Sequence, residues 1–134
     1  VTAGDAHLWI NHLTVNLTWE RAVEYFYSIK GRKPIAQLFG PGASIVSHKL
    51  GVMSVGEYER RLADSADEVD LIRICRRDFA GSLMSLYIQL DFKVGGKFQY
   101  VDVFEFDRSL LIKRLYLCRV SDASFDGDEC LLTI

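Results

Sequence analysis

The chain has 134 residues, 49% of them apolar and 12% aromatic, which is the size and composition of one domain able to bury a core. Sixteen Lys and Arg against 18 Asp and Glu give a formal net charge of −2, without the cationic excess that non-specific nucleic-acid binding requires. The charged share of 25% is ordinary for a globular protein and excludes disorder, and no apolar run approaches the roughly 18 residues that cross a bilayer.

Residues 1–16 have no clean period and read as an arm, with a short helical turn around Leu8, Trp9 and Ile10. From Thr18 to Lys30 the apolar residues Trp19, Ala22, Val23, Phe26, Tyr27 and Ile29 recur at helical spacing. Thr18 is placed to cap this helix and Gly31 to stop it. Pro34 opens a second, shorter helix with Ile35, Leu38 and Phe39 as its buried face. After Gly40-Pro41-Gly42, residues 43–48 read as a strand.

Ser54-Val55-Gly56-Glu57 is a capping box that starts a third helix, with Glu57 and Arg61 at the spacing of an ion pair. Near Val69 the apolar period changes to two. Strands are expected at 69–78, 82–94, 97–107 and 110–120, with Gly95-Gly96 as a two-residue hairpin turn and Asp107-Arg108-Ser109 as the next turn. The acidic segment from Asp122 to Glu129 reads as a flexible tail without calcium-loop spacing. The expected organisation is an arm (1–16), one folded domain (17–121) and a tail (122–134). Helices followed by long antiparallel strands define an α+β domain, with the helices on one face of a bent sheet.

Asp102 is the most informative residue for chemistry. Side chains alternate along a strand, so Phe98, Tyr100, Asp102, Phe104 and Phe106 share one face. An acid among aromatic rings is desolvated, which raises its pKa and favours the neutral, hydrogen-bond-donating form. A two-residue turn at Gly95-Gly96 places Gln89 opposite Asp102, Tyr87 opposite Phe104 and Asp91 opposite Tyr100. One face then carries Tyr87, Gln89, Asp91, Tyr100, Asp102 and Phe104, a polar and aromatic mixture suited to a ligand pocket or a wet subunit interface. On the first helix Tyr25 and Tyr27 lie about 200° apart, so only one can meet a given partner. Each can pack in the core or present its hydroxyl.

Three segments together resemble a known family. They are Ala22-Val23-Glu24-Tyr25-Phe26 with Ile35-Ala36-Gln37-Leu38-Phe39 and Ala43-Ser44-Ile45, then Tyr100 to Asp107, then Ile112-Lys113-Arg114-Leu115. The pattern over residues 18–120 resembles the nuclear transport factor 2-like superfamily, which includes ketosteroid isomerases and SnoaL-like polyketide cyclases. The resemblance implies a cone-shaped, bent antiparallel sheet wrapped on three N-terminal helices, and a homodimer formed through the sheet. It also implies that Tyr25 and Asp102 occupy the places of the Tyr and protonated Asp that form an oxyanion hole in the isomerases. The isomerases carry their basic carboxylate where this chain has Ser47, which is not basic enough to deprotonate carbon. His48 replaces it only if the strand end is irregular, since regular alternation turns it away; Asp91 is the other candidate base.

Asp102, Tyr25 and His48 are therefore the candidate catalytic residues. Tyr27, Ser47, Tyr87, Gln89, Asp91, Tyr100 and Phe104 are the candidate ligand contacts. The function expected is binding or cofactor-free transformation of a small hydrophobic carbonyl compound, of isomerase, dehydratase or cyclase type. The competing reading is a non-catalytic dimerisation or adaptor module whose sheet face is an interface.

No metal site is expected: His7 and His12 are five apart, and Cys75, Cys118 and Cys130 form no C-x-x-C pair. Three widely spaced cysteines fit a reduced, cytoplasmic protein. No cofactor is expected, because nucleotide and phosphate fingerprints are missing. Nucleic acid and membrane are not expected partners.

Overall fold

The computed structural model describes residues 3–65, 68–120 and 125–134, with side chains described from Leu13 onward. The side chains of His7 and His12 lie outside the described ones, and the helical turn expected around Trp9 is part of a longer helix. The backbone from Ala3 to Lys30 is one helix, α1, so the helix does not start at Thr18. Thr18 is not a cap: its hydroxyl donates back to the carbonyl oxygens of Thr14 (2.8 Å) and Val15 (3.1 Å) within the helix. The expected second helix is a three-residue 3-10 turn, Ala36–Leu38, which still buries Ile35 and Leu38. The second α-helix, α2, is Val55–Ser65, and the Ser54 hydroxyl accepts from the Glu57 backbone N–H as the capping box requires. Among the described residues, two α-helices and one short turn thus stand where three helices were expected.

Seven strands form one curved, mixed sheet: β1 (Phe39–Ser47), β2 (Gly51–Ser54), β3 (Val69–Ala80), β4 (Leu83–Phe92), β5 (Lys97–Phe106), β6 (Ile112–Val120) and β7 (Leu132–Thr133). Their spatial order is β2-β1-β6-β5-β4-β3-β7, and β1 runs parallel to β6. The core lies between the helices and one sheet face. Ala22, Tyr25 and Phe26 of α1 meet Phe104, Leu86, Ile88 and Leu115 there, all almost fully buried. Tyr25 packs edge-on against Phe26 (4.9 Å between ring centres) and Phe104 (5.4 Å).

The register of the central hairpin differs from expectation. The Phe92 N–H donates to the Gly96 carbonyl (2.9 Å), and Leu86 stands opposite Asp102, Ile88 opposite Tyr100. The loop is Lys93-Val94-Gly95, and both Gly95 (φ 103°) and Gly96 (φ 98°) take left-handed backbone. A three-residue loop instead of two shifts the pairing by an odd number of residues, which exchanges the faces of one strand relative to the other. Tyr87, Gln89 and Asp91 therefore lie on the face away from the helices, with Gln99, Val101 and Val103. Met84, Leu86 and Ile88 take the face shared with Asp102.

The end of the chain closes over part of that outer face. Ile134 and Ile72 exchange backbone hydrogen bonds (2.9 and 2.8 Å), and the Lys30 ammonium donates to the Ile134 carbonyl (2.8 Å). The Phe125 ring lies edge-on to Tyr87 (5.6 Å), and the Phe125 carbonyl accepts from Gln99 (2.9 Å). Cys130 brings its Sγ to 4.0 Å from that of Cys75. Gly127 crosses the Gln89 side chain so closely that a Cβ would strike its amide. Gly127→Ala is expected to destabilise the protein by about 1–3 kcal/mol, read as a lower denaturant midpoint with an unchanged slope. An unchanged midpoint would show that the terminal segment does not pack on Gln89.

Candidate functional site

The sequence of α1 places its inward stripe at Ala22, Tyr25, Phe26 and Ile29, the i, i+3, i+4, i+7 spacing of one helix face. Tyr25 is 1% exposed and Tyr27, on the opposite side, is 53% exposed. Tyr27 is thus neither core nor part of the site. From α2, Tyr58 reaches in to meet Tyr25, their hydroxyl oxygens 2.6 Å apart. Tyr58 and Leu62 form the inward i, i+4 pair of an otherwise charged helix. That pattern is visible in the sequence, but nothing there pairs Tyr58 with Tyr25.

Between these helices and the sheet lies a cavity of about 890 Å³. Its buried side is built by Tyr25, Tyr58 and Asp102, with apolar walls from Met53, Ile72 and Ile88. Tyr100 and Leu117 line it further out, and His48, Lys49, Arg61, Glu68 and Arg119 are its exposed lining residues. Phe104 supports the Tyr25 ring from beneath.

Asp102 is 6% exposed, and its side chain makes no hydrogen bond among the described residues. Burial alone pushes its carboxyl up to about 8. Burial likewise raises the Tyr25 and Tyr58 hydroxyls, and the charge of Asp102 would raise both further, which places the three groups in one electrostatic unit. Burial raises Tyr100 also, with the Arg119 charge opposing it. At neutral pH the buried end of the cavity is accordingly a set of neutral O–H groups.

Ser47 and His48 both border the cavity. β1 ends at Ser47 and His48–Leu50 form a turn, so strand alternation stops before it can point His48 outward. Ser47 accepts a hydrogen bond from the Leu50 N–H (3.2 Å), which fixes that turn. Asp91, Gln89 and Tyr87 do not join the site. On the outer face Asp91 accepts from Arg73 (2.9 Å) and Gln89 (2.9 Å). Burial pushes the Asp91 carboxyl up, but these two hydrogen bonds outweigh it and hold the carboxyl below its usual value. Sequence reasoning missed Tyr58, Arg61, Glu68 and Arg119, because each comes to the cavity from an element whose facing depends on tertiary packing. Among the described residues no three His, Cys, Asp or Glu side chains are grouped to hold a metal, and no helix is long and apolar enough to cross a membrane.

This architecture, a curved mixed sheet closed by helices over a cavity, is the nuclear transport factor 2-like α+β fold. An NTF2-like protein of unknown function from Cytophaga hutchinsonii superimposes with a TM-score of 0.63 at 8% identity, over 77% of this chain and 89% of that one. The epoxide hydrolase/cyclase-like enzyme SalBIII, of pyran ring formation in the polyether salinomycin, gives 0.59 at 16% identity, over 78% and 91%. A Catenulispora acidiphila protein with a ketosteroid isomerase-like fold gives 0.61 at 14% identity, over 84% and 93%. At these identities the likeness is one of fold. No family model and no curated protein sequence matches the chain.

A carboxyl whose folded pKa lies above its unfolded value binds its proton more tightly in the native state. Its contribution to stability is complete below about pH 4 and is lost as pH rises through about 8. Asp102→Asn cannot ionise and escapes this loss. The variant should therefore gain stability relative to the natural protein between pH 4 and pH 9, by on the order of a few kcal/mol, in parallel denaturation series. A difference independent of pH would show that Asp102 ionises as freely in the folded protein as in the unfolded chain.

Proposed function

We propose that the protein binds a small apolar carbonyl compound in this cavity and transforms it by cofactor-free proton transfer, as an isomerase, dehydratase or cyclase does. The observation that carries this reading is Asp102: a buried acid bordering a cavity, without a hydrogen-bond partner among the described residues, beside a hydrogen-bonded tyrosine pair. Two neutral donors serve the ligand oxygen, the Asp102 O–H and whichever tyrosine hydroxyl does not donate to the other. Negative charge that develops on that oxygen during enolisation is then met by donors already in place.

In the proposed step a base takes a proton from the carbon next to the carbonyl. The C–H pair becomes the enolate π bond and the carbonyl π pair moves to oxygen, where Asp102 and the tyrosine stabilise it. Return of the proton to a different carbon completes an isomerisation. His48 is the proton carrier we assign, since it borders the cavity and an imidazole nitrogen can take up and return a proton.

The test uses a β,γ-unsaturated ketone, whose isomerisation is followed by absorbance of the conjugated product, and 2-naphthol as a fluorescent oxyanion ligand. Asp102→Leu is expected to lower kcat/KM by about 10²-fold or more, with Asp102→Asn falling between. His48→Gln should lower kcat by about 10²-fold and leave naphthol binding intact. The rate should fall as pH rises through about 8, where Asp102 loses the proton it donates. Naphthol binding without turnover would make the protein a ligand carrier. No binding of either compound would overturn the pocket reading in favour of an assembly module.

We also propose a homodimer through the outer sheet face, where Val101, Val103 and Tyr116 are half-buried and the helices lie on the other side. Light scattering at micromolar concentration should give a particle of twice the 15.2 kDa chain mass; a monomer would remove this proposal.

A further inference from the structure

The exposed rim of the cavity is charged unevenly. Lys49, Arg61 and Arg119 border it, against Glu68. Arg61 also meets Glu57 of its own helix at 3.4 Å, a contact in which both side chains are half exposed. Among the described residues neither Lys49 nor Arg119 has a carboxylate within ion-pair distance.

The three cations come from different elements. Arg119 is on β6 opposite Tyr100, and its guanidinium lies 4.3 Å from the centre of the Phe98 ring. The ring covers one face of the guanidinium and leaves its N–H edge to make contacts. Lys49 follows the end of β1, which runs parallel beside β6 with Ser47 next to Leu117. Arg61 faces them from α2. Asp102 is opposite Leu117, one inward position before Arg119. Two residues along a strand and one strand across separate the Asp102 and Arg119 backbones by on the order of 8 Å.

We infer that the ligand of this cavity is a keto acid: an apolar body whose carbonyl meets Asp102 and the tyrosine pair, with a single carboxylate held at the rim by Arg119, Lys49 and Arg61. Two rim cations without an ion-pair partner among the described residues suit an anion, and the guanidinium edge matches the two oxygens of a carboxylate. The backbone separation suits a ligand with a few carbon–carbon bonds between its carbonyl and its carboxylate. This inference rests on the cavity being the ligand site, as proposed above.

The probe is 4-(2-naphthyl)-4-oxobutanoate, with its methyl ester and the analogue in which methylene replaces the ketone, each titrated calorimetrically. The acid is expected to bind about tenfold or more tightly than the ester. That preference should shrink with added salt and fall severalfold in the double variant Arg61→Gln/Arg119→Gln. Arg114→Gln, which removes a cation from the opposite side of β6, should retain the preference. Equal binding of acid and ester, or a preference undiminished in the double variant, would overturn the inference. Equal binding of the keto and methylene acids would instead overturn the oxyanion reading and leave the carboxylate preference standing. If none of the three binds, the cavity is not a ligand site and both readings fall.

Discussion

A carboxyl group on the helix side of this sheet controls the rest of the site. Leu86, Ile88, Phe104 and Leu115 surround the inner face of β5, and each is almost wholly buried. Ionising Asp102 there means holding a charge on a buried group with no ion-pair partner among the described residues, and burial pushes its carboxyl up to about 8. A neutral carboxyl is a donor, and the tyrosine pair beside it is donor-rich too. The polarity of the buried end follows from solvation, before any ligand is considered.

Asp102 alone could be read as a tolerated core acid. Geometry argues otherwise. Tyr25 and Tyr58 satisfy one another across α1 and α2, so only one hydroxyl proton of the two is consumed. The remaining donors have a cavity large enough for a multi-ring compound in front of them. The rim differs from the interior in charge as well as exposure, with Arg and Lys side chains where water can screen them and O–H groups where it cannot. A ligand that is apolar in the middle, oxygen-bearing at one end and anionic at the other fits this gradient along its whole length.

Much of this was legible in the sequence, for reasons that differ by element. The strand limits from Val69 onward and the alternation that puts Tyr100, Asp102 and Phe104 on one face are local properties of period two. The capping box at Ser54 is local as well. The hairpin register was not legible, because Gly95-Gly96 supports either a two-residue or a three-residue loop, and that choice decides which face Tyr87, Gln89 and Asp91 take. The first half of α1 has no apolar period, so its continuity with the second half could not be read from pattern. Tyr27 follows Val23 at helical spacing, yet the sheet contacts the face of Ala22 and Tyr25 instead. Partners such as Tyr58 and Arg119 are chosen by how elements pack, which a single sequence does not record.

The most direct measurement of the central claim is a carbon-13 NMR titration of the Asp102 side-chain carboxyl in the ligand-free protein, assigned through Asp102→Asn. A midpoint near pH 8, with the Tyr25 and Tyr58 ring signals responding to the same transition, is the expected result. A midpoint near the ~3.9 of a free aspartate, with no response from the two tyrosines, would contradict a buried neutral donor and the chemistry built on it.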